Sequence, residues 1–133
     1  MSQSPIHILI ADDDDQVRML LKRVLVKAGY DVSEARNGNE AVRIFKQKSA
    51  ALLITDLIMP DKEGIETIQE FRRNHTPVKI IAISGGGRLD QNMYLAMAKK
   101  SGADRVLSKP FMPQDLLTVV QELAGKPGSP AAT

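Results

Sequence analysis

The sequence predicts an α/β domain, with one parallel sheet of five strands and helices packed on both faces. Three observations lead there. Apolar runs alternate strictly with stretches whose apolar residues recur at helical spacing, five of each between Ile6 and Leu123. Such alternation implies parallel strands joined by right-handed crossovers, a doubly wound sheet. The runs are also continuous, as in Ala51-Leu52-Leu53-Ile54 and Val78 to Ile83, which marks strands covered on both sides. Finally, the runs end in polar or charged residues, so chemistry collects at the carboxyl ends of the strands, where open α/β sheets bind ligands.

The first strand is Ile6 to Ala11, ending in Asp12-Asp13-Asp14-Asp15. Val17, Leu20, Leu21, Val24 and Leu25 follow at i, i+3, i+4, i+7 and i+8, one face of an amphipathic helix. Acids open that helix, and Lys27 and Gly29 close it, as the helix dipole and a glycine cap favour. Tyr30 to Ala35 is the second strand. Asn37, with Glu40 three residues on, caps a second helix through Ala41, Ile44 and Phe45. The third strand ends in Thr55-Asp56 and a turn punctuated by Pro60 and Gly64. Ile65, Ile68 and Phe71 form the third helical face, which ends near Asn74 before Pro77. The fourth strand, Val78 to Ile83, leads into Ser84-Gly85-Gly86-Gly87. A weaker helix runs through Leu89, Met93, Ala96 and Met97 to a cap at Gly102. Ala103 to Leu107 is the fifth strand, and Pro113 opens a last helix through Leu116, Leu117, Val120 and Leu123.

The 133 residues suffice for one domain with a single core, expected over 5–124, with 125–133 as a flexible tail. Hydrophobic residues at 43% and charged residues at 26% are ordinary for a soluble chain. No apolar run approaches the roughly 20 residues of a membrane helix, and Met1 to Pro5 lacks the pattern of a secretory signal. The absence of cysteine excludes disulfides and thiolate metal sites and fits a cytoplasmic location. A net charge of +2 without a helix-turn-helix, zinc-finger or aromatic-basic signature argues against direct nucleic-acid binding.

In a parallel sheet, the residues after strands one, three, four and five share an edge. Here they are Asp12 and Asp13, Asp56, Ser84 and Lys109. Three close carboxylates repel one another unless a cation relieves them. A hard divalent ion such as Mg²⁺, which binds through carboxylates, waters and phosphate, does so. Asp56 can then stay ionised and attack phosphorus to form an aspartyl phosphate. Ser84 can donate to one phosphoryl oxygen, and Lys109 can neutralise another.

These residues, with Met59-Pro60, Gly64 and Lys109-Pro110-Phe111, make the chain resemble the receiver domain of two-component response regulators, most of all the stand-alone chemotaxis type. The resemblance spans about residues 5–124, with the motifs in order. It implies a flavodoxin-like sheet of order 2-1-3-4-5 with five helices and a Lys109-Pro110 bond that is commonly cis. It implies Asp56 as phosphoacceptor from a sensor histidine kinase or histidine phosphotransfer protein. Mg²⁺, or Mn²⁺, would be held by Asp13, Asp56 and the backbone carbonyl of Ile58, with Asp12 acting mostly through water. The domain would be no enzyme beyond weak self-dephosphorylation. Output would reach an unknown downstream protein through the face of the fourth helix, fifth strand and fifth helix, as a monomer or weak dimer.

Each residue alone has a plainer use. Asp12 to Asp15 could simply start a helix, the reading retained for Asp14 and Asp15; Asp56 could form a turn, Ser84 cap a helix, and Lys109 lie on the surface. Their joint placement at one edge outweighs these uses. Gly85-Gly86-Gly87-Arg88 fits neither phosphate-loop pattern and reads as a mobile loop. His7 and His75 have no ligand partners at metal-site spacing, and Met93 and Met97 read as core. Arg18, Lys22 and Lys27 read as a solvated flank of the first helix. A cap-bearing aspartyl phosphatase would need an insertion that this chain lacks, and a flavodoxin-like nucleotide-binding module would need a Ser/Thr-rich or glycine-rich phosphate loop after strand one.

Three features depart from the family pattern. Val106, preceded by Arg105, stands where many receivers carry Tyr or Phe. Ile58 and Gly86 offer no polar side chain to orient a hydrolytic water. Met112 precedes Pro113 where an Asp cap is more usual.

Overall fold

Each strand of the sheet sends alternate side chains into two separate cores, which explains the unbroken apolar runs. The computed structural model describes residues 5–57, 64–74, 77–84, 96, 99–100 and 102–126. Its strands are β1 (His7–Ala11), β2 (Asp31–Ala35), β3 (Leu52–Asp56), β4 (Lys79–Ser84) and β5 (Arg105–Ser108), all parallel in the order β2-β1-β3-β4-β5. Leu9, Leu53, Ile80 and Ala82 meet Ile68 and Phe71 on one face. Ile8, Ile10, Leu52, Ile54, Ile81 and Ile83 meet Leu21, Leu25, Leu116 and Val120 on the other. With period-two alternation, the middle of a central strand is therefore apolar at successive positions, with polar residues near its ends. The edge strands β2 and β5 are only partly covered, consistent with the polar residues in Asp31-Val32-Ser33-Glu34.

The helices among the described residues are α1 (Asp15–Lys27), α2 (Gly38–Gln47), α3 (Gly64–Arg73) and α4 (Pro113–Ala124). These are four rather than five. The weak helix expected through Leu89, Met93 and Met97 lies largely outside the described residues, although Ala96, Lys99 and Lys100 are helical. The readings of Gly85 to Arg88, of His75 and of residues 127–133 also fall outside them.

Local signals explain the ends of the helices. Asp14 caps α1 by accepting from the amides of Gln16 (2.9 Å) and Val17 (3.3 Å), and Asn37 caps α2 through the Glu40 amide (2.8 Å). The missing cap on α4 is replaced from inside the helix, where Asp115 accepts from the Met112 amide at 3.0 Å. Gly29 takes a φ of 105° after α1 and Gly102 one of 122° before β5, conformations that favour glycine. Tyr30 lies just before β2, not in it, and its hydroxyl donates to the Gly125 carbonyl at 2.7 Å.

Two expectations for α1 need correction. Its buried face is Arg18, Leu21 and Leu25, whereas Leu20 is 52% exposed. Arg18 is not on a solvated flank with Lys22 and Lys27, because the helix is rotated so that its guanidinium turns inward. His7, without a role in the sequence reading, is a buried tie between segments. Its Nδ1 donates to the Ser49 carbonyl (2.9 Å), and its Nε2 lies 2.7 Å from Ser33 Oγ.

Candidate functional site

The register of the sheet brings the expected residues to one edge. Ala11 aligns with Thr55 and Thr55 with Ala82; Asp56 aligns with Ile83, and Ser84 with Ser108. Asp12 and Asp56 therefore leave adjacent strands at the same level, with Ser84 and Lys109 on the next two. One oxygen each from Asp12, Asp13 and Asp56 lies within 4.8 Å of the others. Lys109 Nζ stands 3.9 Å from Asp12 Oδ2 and 3.8 Å from Asp56 Oδ2. Asp12, Asp56 and Ser84 are buried, and Asp13 is exposed. Ile58 lies outside the described residues.

The backbone around Asp56 is closely held. Its carbonyl accepts from Thr55 Oγ1 (3.0 Å), and the Leu57 amide donates to the Ile83 carbonyl (3.0 Å). Gly64, at the start of α3, is pressed against this turn. A Cβ there would lie 1.9 Å from the Asp56 carbonyl oxygen, so only glycine fits. On the neighbouring strands, the Lys109 amide donates to the Ser84 carbonyl at 2.8 Å, and the Lys109-Pro110 bond is cis.

Electrostatically the pocket is short of positive charge. Burial pushes the Asp12 carboxyl up to about 6; the Asp14 amide opposes that, and the Asp56 charge adds to it. Asp12 Oδ1 accepts from the Asp14 amide at 2.9 Å, while the buried Oδ2 has no hydrogen-bond partner. An orphaned carboxylate oxygen facing two further carboxylates suits a hard divalent cation, so the donor set fits Mg²⁺.

Arg18 was not legible as part of this neighbourhood. Its Nη1 donates to the Asp12 carbonyl at 2.8 Å and its Nε to Glu34 Oε1 at 3.2 Å, and its Nη2 pairs with Asp15. The available signal was an arginine at i, i+3, i+7 spacing with Leu21 and Leu25, close behind four aspartates. A groove of about 250 Å³ between α2 and α3, lined by Val42, Phe45, Lys46, Phe71 and Asn74, includes none of the converging residues.

The chain is similar to known proteins in sequence and fold. The family model described as the response regulator receiver domain matches residues 8–121. The chain is 36% identical over 119 residues to the chemotaxis protein CheY of Thermotoga maritima, covering 89% of this chain and 97% of that protein. It is 33% identical to the transcriptional regulatory protein SrrA of Staphylococcus aureus, covering 88% of this chain but only 47% of SrrA. A crystal structure of a CheY-like receiver domain protein from Methanospirillum hungatei superposes with a TM-score of 0.81 at 29% identity, over 90% of this chain and 93% of that one. The strand order, the acids at the exits of β1 and β3 and the family match all agree: the chain belongs to the response regulator receiver domains of two-component systems.

Proposed function

We propose that this domain accepts a phosphoryl group on Asp56 from a phosphohistidine of a sensor histidine kinase or histidine phosphotransfer protein. The observation that carries this reading is the cluster of three carboxylates with an orphaned Asp12 oxygen, flanked by the Lys109 ammonium. A carboxylate of Asp56 attacks phosphorus in line, the phosphorus–nitrogen bond to the donor imidazole breaks, and the imidazole leaves as the neutral base after protonation. Ser84 donates its hydroxyl to one phosphoryl oxygen and Lys109 Nζ pairs with another, each where charge accumulates. Bound Mg²⁺, held by Asp13 and Asp56 with Asp12 acting mostly through water, would supply charge neutralisation to the carboxylates and phosphoryl oxygens. Mn²⁺ would serve the same donor set.

The domain works as a switch rather than an enzyme, with at most weak self-dephosphorylation, in the cytoplasm where histidine kinases present their phosphate. A charge-assisted bond from Ser84 to the phosphoryl group is worth about 1.5–3 kcal/mol, and a differential contact of that size shifts a two-state equilibrium by roughly 10- to 150-fold. Output proceeds by protein contact through β5, α4 and the helix before β5, as a monomer or weak dimer. On that face, Arg105 pairs with Glu122 at 3.1 Å, joining β5 to α4.

The test is incubation with Mg²⁺ and a small phosphodonor or beryllium fluoride, beside Asp56→Asn. The wild type gains one phosphoryl mass or binds the fluoride tightly, and the variant does neither. A mass gain that survives the substitution refutes Asp56.

A further inference from the structure

A buried arginine is costly unless its charge and donors are all engaged. Arg18 is 9% exposed, and two of its three partners, Asp12 in the loop after β1 and Asp15 at the first position of α1, belong to the acidic run. The third, Glu34 on β2, also takes Lys22 at 3.1 Å, so the guanidinium is anchored to the sheet. The backbone of Asp12 is thereby held on both sides. Its amide donates to the Ala35 carbonyl at 3.1 Å, and its carbonyl accepts from Arg18 at 2.8 Å. With Oδ1 taken by the Asp14 amide, Oδ2 is the oxygen left toward the cluster.

We infer that Arg18 is a positioning residue for divalent-cation binding, its fork holding Asp12 and the turn that carries Asp13 in the arrangement that groups their oxygens with Asp56. This rests on the reading of the three carboxylates as a cation site. The geometry separates positioning from two simpler roles by sign. Arg18 is itself a cation near the site, so if it acted only through its charge, its removal would tighten Mg²⁺ binding. If it served stability alone, its removal would lower the melting temperature and leave affinity unchanged. As a positioner, it weakens binding when replaced by methionine and also by lysine, which keeps the charge but lacks the planar fork.

The measurement is calorimetric titration of the full chain with Mg²⁺, without phosphodonor, well below each variant's melting temperature. Groups that orient metal ligands from outside typically change affinity by 10- to 100-fold. We expect Arg18→Met and Arg18→Lys each to weaken Mg²⁺ binding by about tenfold. Affinities within about twofold of wild type, or tighter binding by Arg18→Met, overturn the inference. Should both variants unfold, Glu34→Gln decides, since it loosens the guanidinium from β2 without touching the acids: weaker binding supports the role and unchanged binding overturns it. A wild type that binds no Mg²⁺ at all overturns the cation reading itself, and this inference with it.

Discussion

Lys109 Nζ lies 3.8 Å from Asp56 Oδ2, although the two residues leave strands separated by β4. It is also 3.9 Å from Asp12 Oδ2, so one ammonium is shared between two buried carboxylates. That sharing makes Lys109 a counter-charge to both acids and, in the function proposed above, a phosphate partner after transfer. Replacing it with methionine is expected to slow phosphorylation from a small donor by about a hundredfold, the usual cost of removing one electrostatic contact to a transition state. Initial rates of phosphoprotein formation check this; a loss under threefold would remove Lys109 from the chemistry.

The raised Asp12 carboxyl predicts an unusual pH dependence of folding. Its folded value, about 6, lies above its unfolded value of 3.8, so the native state binds the proton more tightly. The stability it contributes is complete below about pH 4 and is lost as the pH rises through 6. At about 1.4 kcal/mol per pH unit, the metal-free protein loses about 3 kcal/mol across that window. Asp15 and Asp31, held below the ordinary carboxylate value by hydrogen bonds from Arg18 and Lys48, act in the opposite sense: their stabilisation is present above the unfolded value and is lost as pH falls below it. Both lie at the surface, so their effect is small. Urea denaturation at pH 5 and pH 7.5 should show greater stability at pH 5, and Mg²⁺ should erase the difference. Equal stability without metal would contradict the electrostatic account of the pocket.

Gly64→Ala should be more damaging than an ordinary substitution in the first turn of a helix. The new methyl would lie 1.9 Å from the Asp56 carbonyl oxygen and 2.7 Å from Leu57 Cα, both main-chain atoms. Relief requires α3 or the β3 exit to move, at a cost of about 1–3 kcal/mol or more. Denaturant midpoints measure the stability loss, and a slower gain of phosphate is expected with it because Asp56 sits on the displaced segment. A variant as stable as wild type would show that the turn yields cheaply.

The aspartyl phosphate should be long-lived. Ile58 and Gly86, two residues after Asp56 and Ser84, present no polar side chain to an attacking water. Decay measured with Mg²⁺ present and without a phosphatase is expected to take minutes or longer, with Ile58→Asn shortening it severalfold. A half-life of seconds in the wild type would sink the idea.

The sheet and the grouping of acids at its edge were readable because both depend on strong, local signals. A strand covered on two faces is apolar through its middle, and a polar group at its end lies at the sheet's carboxyl edge, so Leu52 to Asp56 showed both at once. Arg18 was not readable, because periodicity alone ranked Leu20 above it. Only the pull of the Asp12 carbonyl, Asp15 and Glu34 explains why a charged residue turns inward and Leu20 outward. His7 was hidden for a similar reason, since its partners Ser33 and Ser49 are distant in sequence. The α4 start was half legible: Met112 provides no cap, but Asp115 reaches back to do so. Val106, which stands where many receivers carry an aromatic ring, packs partly buried against the core shared with α3, as a small apolar residue in that place can.

The bond from Tyr30 to Gly125 fixes where the chain departs. Gly125 also approaches Ile6, so α4 finishes beside the starts of β1 and β2. The acids sit at the other ends of the strands. At about 3.3 Å per residue, a five-residue strand separates these poles by roughly 15 Å. Gly125 thus stands at the pole of the sheet opposite Asp12 and Asp56, with the length of the strands between it and the carboxylates.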